Sequence, residues 1–230
     1  MSAELTVNFR ARRVATILFY AAAALTVAHC LSVIAWYEDL LPIDDWLYYS
    51  FFDLDEEESI GTWFSALILF GAGQLSWLLA RIQRPSPNGK YAWWLLLAIG
   101  FHLLSLDEVA GFHEFINTIV EDTHWTTFGA GIALLIAIAY LPFLWSLPTS
   151  TRYLLMASGA IYLGGAVGVE WATIWYEDND QLDTLPYNLW NGLEEFMEMF
   201  GIVLYIYTLL DYIERTKPGY TLTFKFQNNP

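Results

Sequence analysis

Seven acidic residues of this sequence lie within or beside long apolar segments, where ionised side chains are rare. They are Asp107, Glu108, Glu114, Glu170, Glu194, Glu195 and Glu198. Two histidines, His29 and His113, accompany them. No Lys or Arg lies between Lys90 and Arg152, or between Arg152 and Arg215. Buried carboxylates without a basic partner are costly unless they bind protons or a metal cation. Carboxylates mixed with imidazole on several helices are typical ligands of iron, manganese or zinc in helical bundles.

Residue counts place the acids of three different segments at a common depth. Asp107, Glu170 and Glu198 lie 16, 18 and 13 residues from the ends of their segments nearest the basic residues. At about 1.5 Å per residue, these counts correspond to roughly 20–27 Å of helix. We therefore expect the acids to share one layer in the outer half of a membrane.

Helical phase separates the acids into predicted metal ligands and two acids that lie off the ligand faces. On a regular helix, Asp107 and Glu114 share one face, and Glu194 and Glu198 share another. The predicted metal ligands are Asp107, His113, Glu114, Glu170, Glu194 and Glu198, with His29 as a further candidate. Glu108 and Glu195 lie about 100° off these faces and are the candidates for a non-ligating general base.

Six apolar segments must position these residues. A helix needs about 20 residues to cross roughly 30 Å of hydrocarbon, and most of these segments have that length. The predicted spans are about 14–36, 60–80, 91–112, 126–147, 153–174 and 190–211. We therefore expect an all-α fold, a polytopic membrane helix bundle with six transmembrane helices that forms a single domain over residues 1–230.

The distribution of charge predicts the orientation. The chain is 56% hydrophobic with a formal net charge of −15, and its ten Lys and Arg fall in the two tails and in the second and fourth loops. By the positive-inside rule, both termini are cytoplasmic.

The same composition excludes other classes of protein. A chain this acidic, without a basic patch, is not expected to bind nucleic acid. The single cysteine, Cys30, excludes an intrachain disulfide and a multi-cysteine zinc site. The first apolar segment is too long for a signal-peptide core, so we expect it to be retained as a helix. We also expect the protein to lie in a bacterial inner (plasma) membrane.

Three functions are compatible with these features. The leading hypothesis is an integral membrane metalloprotein that holds one or two iron, manganese or zinc ions and acts as an oxidoreductase or hydrolase on a lipid-like or quinone-like substrate. The second is a proton- or cation-coupled transporter or channel, since acids within spans are typical of ion paths. The third is an accessory subunit whose partners, besides the lipid bilayer, are other membrane subunits or a basic soluble protein at the acidic outer face.

Structural roles also account for some of these residues. Glu194 and Glu195 could stabilise the N-terminus of the sixth helix, because acids in a first turn interact favourably with the helix dipole. His29, alone on its segment, is also compatible with a packed histidine that binds no metal.

Overall fold

The computed structural model describes residues 3–7, 10–40, 51–54, 56, 59–84, 90–112, 125–218 and 222–226. The α-helices are α1 (Ala11–Tyr37), α2 (Ile60–Gln83), α3 (Lys90–Ala110), α4 (Trp125–Trp145), α5 (Thr149–Leu163), α6 (Glu170–Asp178) and α7 (Leu185–Thr216). A π-helix, Gly164–Val169, joins α5 to α6, so these three elements form one continuous span, Thr149–Asp178. Within the described part of the chain, six helical segments are therefore long and apolar enough to cross a membrane. The predicted helical bundle with six such segments is confirmed.

The two tails of the chain pair with each other. Strand β1 (Ala3–Val7) and strand β2 (Leu222–Phe226) form an antiparallel two-stranded sheet. The backbone N–H of Ala11 also donates to the Glu214 carboxylate at 2.7 Å, which ties the start of α1 to the end of α7. Both tails therefore lie at the same end of the bundle, which we call the terminal end, and the opposite half is the distal half. This sheet was not predicted from the sequence.

Helix α7 lies at the centre of the bundle. It packs against α1, α2, α5 and the π-helix. Aromatic contacts add α3, since the Phe101 ring lies 4.3 Å from that of Tyr205, and the Trp94 ring lies 5.9 Å from that of Tyr212. In the most apolar 18-residue stretch of α7, 61% of the residues are buried, against 6% in that of α4. The surface of α4 is therefore left for lipid or another chain. Polar residues on α7 are therefore more often surrounded by other helices than polar residues on α4.

Two helix ends differ from the prediction and affect the acidic residues. Helix α3 ends at Ala110 because Gly111 adopts a left-handed conformation, with φ 57°, and its N–H donates to the Asp107 carbonyl at 2.8 Å. Helix α7 begins at Leu185, earlier than predicted, with a proline in its first turn, where the missing N–H costs nothing. Glu194 therefore lies nine residues inside α7, and the helix N-terminus does not account for it.

Candidate functional site

Glu198 lies at the meeting point of several acidic side chains in the distal half. Its carboxylate interacts electrostatically with Glu108 of α3, with Glu170 of α6 and with Glu194, one turn earlier on α7. The hydroxyl of Tyr162, on α5, donates a hydrogen bond to the same carboxylate. Carboxylate or phenol groups from three spans, α7 included, therefore lie near Glu198. We call Glu108, Glu170, Glu194, Glu195 and Glu198 the distal glutamates.

Gly201 brings α5 close enough to α7 for the contact between Tyr162 and Glu198. A Cβ atom at position 201 would lie 2.8 Å from the backbone nitrogen and the Cβ of Tyr162, and 2.9 Å from its Cα. The Ser158 hydroxyl donates to the Gly201 carbonyl at 2.9 Å across the same interface. Small residues allow such close approach between helices in lipid. The absent side chain at Gly201 therefore helps to position the Tyr162 phenol.

The π-helix positions Glu170 relative to α7. Its hydrogen bonds run from residue i to i+5, so each turn contains about one more residue than a turn of α-helix. The residues that follow are therefore rotated by roughly 100° from the positions they would have on a regular α-helix. Gly165 within it lies against α7, where a Cβ would be 2.8 Å from the Glu194 carbonyl oxygen and 3.1 Å from Glu198 Cγ. Short π-helical segments occur frequently at functional sites. This irregularity directly precedes Glu170, the acid that its span contributes.

Glu108 and Glu195, the acids that helical phase placed about 100° away from the predicted ligands, both lie near Tyr162. Each interacts electrostatically with the Tyr162 phenol, and Glu108 also interacts with Glu198. Asp107, the predicted ligand on α3, lies partly buried in the last turn of that helix, one residue before Glu108. Tyr162 itself was missed. Its signal in the sequence, a phenol on the apolar segment that also carries Glu170, is weak.

Glu198 lies within electrostatic range of Glu108, Glu170 and Glu194, but these carboxylates do not converge on one point. Across the residues that the structure describes, no group of three or more His, Cys, Asp or Glu side chains is arranged to hold a metal ion. His113 and Glu114, two of the predicted ligands, lie outside the described residues. The assignment of metal ligands therefore stays a prediction.

His29 is fully buried, and hydrogen bonds occupy both of its ring nitrogens. Nε2 lies 2.9 Å from the Asn188 carbonyl oxygen on α7. Nδ1 lies 3.0 Å from the Phe52 carbonyl oxygen and 3.2 Å from the Leu54 nitrogen, with a carboxylate oxygen of Asp53 at 3.9 Å. The ring thus links α1 to α7 and to the segment that precedes α2. A metal ion at His29 would have to displace one of these contacts.

We expect His29→Ala to lower the free energy of unfolding by about 2–4 kcal/mol, because it removes buried hydrogen bonds and leaves a cavity. Denaturant or thermal unfolding in detergent micelles measures the effect. Leu31→Ala is the control, since Leu31 is 63% exposed on the same helix and its truncation should cost under about 0.5 kcal/mol. Equal losses in the two variants would show that the His29 contacts do not stabilise the bundle.

The comparison with known protein families covers the whole site. A family model described as "Domain of unknown function (DUF8692)" matches residues 16–212. That range begins in α1, ends near the end of α7, and includes all five distal glutamates and Tyr162. No curated protein and no solved structure matches the chain. The six-span bundle and its distal acids thus fall within a single family domain, and the chain belongs to the DUF8692 family.

Proposed function

We propose that this protein is an integral membrane metalloprotein in which the predicted ligands, among them Glu170, Glu194 and Glu198, bind one or two iron, manganese or zinc ions. One observation carries the proposal: the Glu198 carboxylate interacts with three other carboxylates, from α3, α6 and α7. Between Lys90 and Arg215 the sequence contains a single Lys or Arg, which is Arg152 at the start of the span that carries Glu170. Like charges close together in a weakly polar medium repel strongly, and a bound cation removes that repulsion.

The oxygen-rich character of the site indicates its chemistry. Carboxylates and a phenol are hard ligands that suit iron or manganese, and histidine from outside the described residues would extend the choice to zinc. A bound iron or manganese ion would support redox chemistry, whereas zinc would activate water for hydrolysis. Glu108 and Glu195, which both lie near Tyr162, are the proposed general bases.

The proposed substrate is lipid-like or quinone-like. The distal glutamates lie within helices that are long and apolar enough to cross a membrane, and each of them is partly buried. An apolar molecule dissolved in the bilayer has the most direct access to such a position. We also propose that both termini are cytoplasmic in a bacterial inner membrane, as the positive-inside rule favours. Protease or antibody access to tags at the two termini tests that orientation.

Loss of a single proposed ligand should lower cation occupancy. We expect Glu170→Gln to reduce the bound metal by about tenfold or more after equilibrium dialysis against Mn²⁺, measured by elemental analysis. Glu177→Gln is the matched control, because Glu177 lies exposed near the other end of α6 and undergoes the same chemical change. Equal occupancy in the two variants would argue against Glu170 as a ligand.

One observation favours proton or cation transport as a second candidate. Tyr205 and Tyr212 follow Glu198 on α7 at intervals of seven residues, or about 10 Å, towards the terminal end. The Tyr205 hydroxyl lies 2.7 Å from the Ser76 hydroxyl, and the Tyr212 hydroxyl accepts a hydrogen bond from Gln83 at 3.1 Å. Polar groups therefore recur along the interface between α2 and α7. Proton flux in liposomes that is lost in Tyr205→Phe would favour transport over a metalloenzyme.

A further inference from the structure

Helix α2 presents a row of exposed side chains with the spacing of a coiled-coil seam. Intervals of four and three residues alternate along Trp63, Leu67, Phe70, Gln74, Trp77 and Arg81. The exposed fractions are 64% for Trp63, 49% for Leu67 and 46% for both Phe70 and Trp77. A repeat of 3.5 residues is the pattern by which two helices pack in a left-handed pair. This row, the α2 seam, therefore has the geometry to pack along another helix.

Gln74 makes the α2 seam unlike an ordinary lipid-facing surface. It lies about 14 Å from one end of α2 and about 21 Å from the other, and its side chain is exposed. His102 Nδ1 donates to the Ala98 carbonyl at 2.6 Å, so its Nε2 accepts from the Gln74 amide at 3.1 Å. The amide oxygen and second N–H of Gln74 have no hydrogen bond to the described residues. Polar groups exposed to hydrocarbon in this way are costly.

We propose that the α2 seam is the interface of a symmetric dimer with a second copy of this chain. A two-fold axis along the membrane normal keeps equivalent residues at the same depth, so Gln74 meets Gln74. A primary amide carries both a donor and an acceptor, and two such amides can therefore form reciprocal N–H···O hydrogen bonds. A different partner would have to supply its own polar group at that depth, whereas a second copy supplies it by symmetry.

The polar position also sets the register of the pair. A single amide at a seam position of a coiled coil fixes how two helices align, because any other alignment leaves it without a partner. Hydrogen bonds between helices contribute modestly to association within a membrane. Gln74 thus accounts for one specific alignment of the two α2 helices, with the aromatic side chains of the seam supplying the packing.

Disulfide crosslinking in native membranes tests the interface directly. Cys30→Ser removes the single cysteine, and Phe70→Cys or Leu135→Cys then introduces one on the α2 seam or on α4, where Leu135 is 69% exposed. After mild oxidation, we expect a crosslinked dimer for Phe70→Cys and monomer for Leu135→Cys. Equal crosslinking at the two positions, or none at Phe70→Cys, would overturn the proposal.

Energy transfer between labelled chains in liposomes measures the contribution of the amide. Gln74→Leu should weaken self-association by about three- to tenfold, since it removes the reciprocal hydrogen bonds and keeps an apolar surface. Gln181→Leu, a matched loss of an exposed amide outside the spans, should leave association unchanged. Circular dichroism and gel filtration check that each variant is folded. The symmetric dimer would be refuted by any of three results. These are a wild-type chain that stays monomeric, a Gln74→Leu variant that associates as strongly as the wild type, and a different subunit bound at the α2 seam.

Discussion

The substitution Glu198→Gln is expected to change thermal stability in opposite directions with and without a bound cation. Without a cation, and at a pH high enough to ionise the carboxyl groups, the change removes one of four interacting negative charges and so raises the melting temperature. With a saturating cation, the variant loses a ligand and with it the stabilisation that binding provides. That stabilisation is about 2.7 kcal/mol when the free cation stands at 100 times its dissociation constant. Glutamine keeps an oxygen to accept the Tyr162 hydrogen bond, so the comparison isolates the charge.

Thermal unfolding in detergent, once with a chelator and once with excess Mn²⁺, measures both directions. Glu177→Gln serves again as the control and should show neither a gain under chelation nor a loss with Mn²⁺. If Glu198→Gln lowered the melting temperature equally under both conditions, Glu198 would have a structural role that involves no cation.

The second large effect is expected at Gly201. In Gly201→Ala, the new methyl group would meet backbone atoms of Tyr162 at 2.8–2.9 Å, and backbone cannot move aside as a flexible side chain can. Helices α5 and α7 must then separate, which should cost about 1–3 kcal/mol of unfolding free energy. The same displacement moves the Tyr162 phenol away from Glu198, so cation affinity should fall together with stability.

Gly159→Ala is the matched control for this substitution. It lies one residue after Ser158 on α5, and nothing lies within 4 Å of a Cβ placed there. Alanine has a higher helix propensity than glycine, so the control should be neutral or stabilising by up to about 1 kcal/mol. Unfolding titrations in detergent compare the two variants. Similar stability in both would mean that close packing at Gly201 contributes little to the bundle.

The number and approximate positions of the spans could be predicted because hydrocarbon thickness fixes their length. The ends of the helices could not, since they depend on local backbone conformation. Gly111 ends α3 through its positive φ, and the proline after Leu185 begins α7 several residues early. The pairing of the two tails joins residues more than 200 positions apart, which no local pattern encodes.

Residue counts and helical phase depend on the structure in different ways at the site. Residue counts put Glu170, Glu194 and Glu198 in one layer, and the interactions of Glu198 join these same residues. Helical phase was less reliable, because each irregularity rotates everything that follows it. The π-helix rotates Glu170 relative to the earlier residues of its span, and phase alone placed Glu108 about 100° away from the face of the predicted ligands, although it interacts with Glu198.

The metal content of the purified wild-type chain tests the proposed site most directly. The protein is extracted in mild detergent without chelators or added metal, and its metals are then measured by elemental analysis, with an absorption spectrum to detect iron. We expect about one or two ions of iron, manganese or zinc per chain, as in other carboxylate sites of helical bundles. Metal-free protein whose melting temperature changes neither with a chelator nor with added Fe²⁺, Mn²⁺ or Zn²⁺ would contradict the assignment of Glu170, Glu194 and Glu198 as metal ligands.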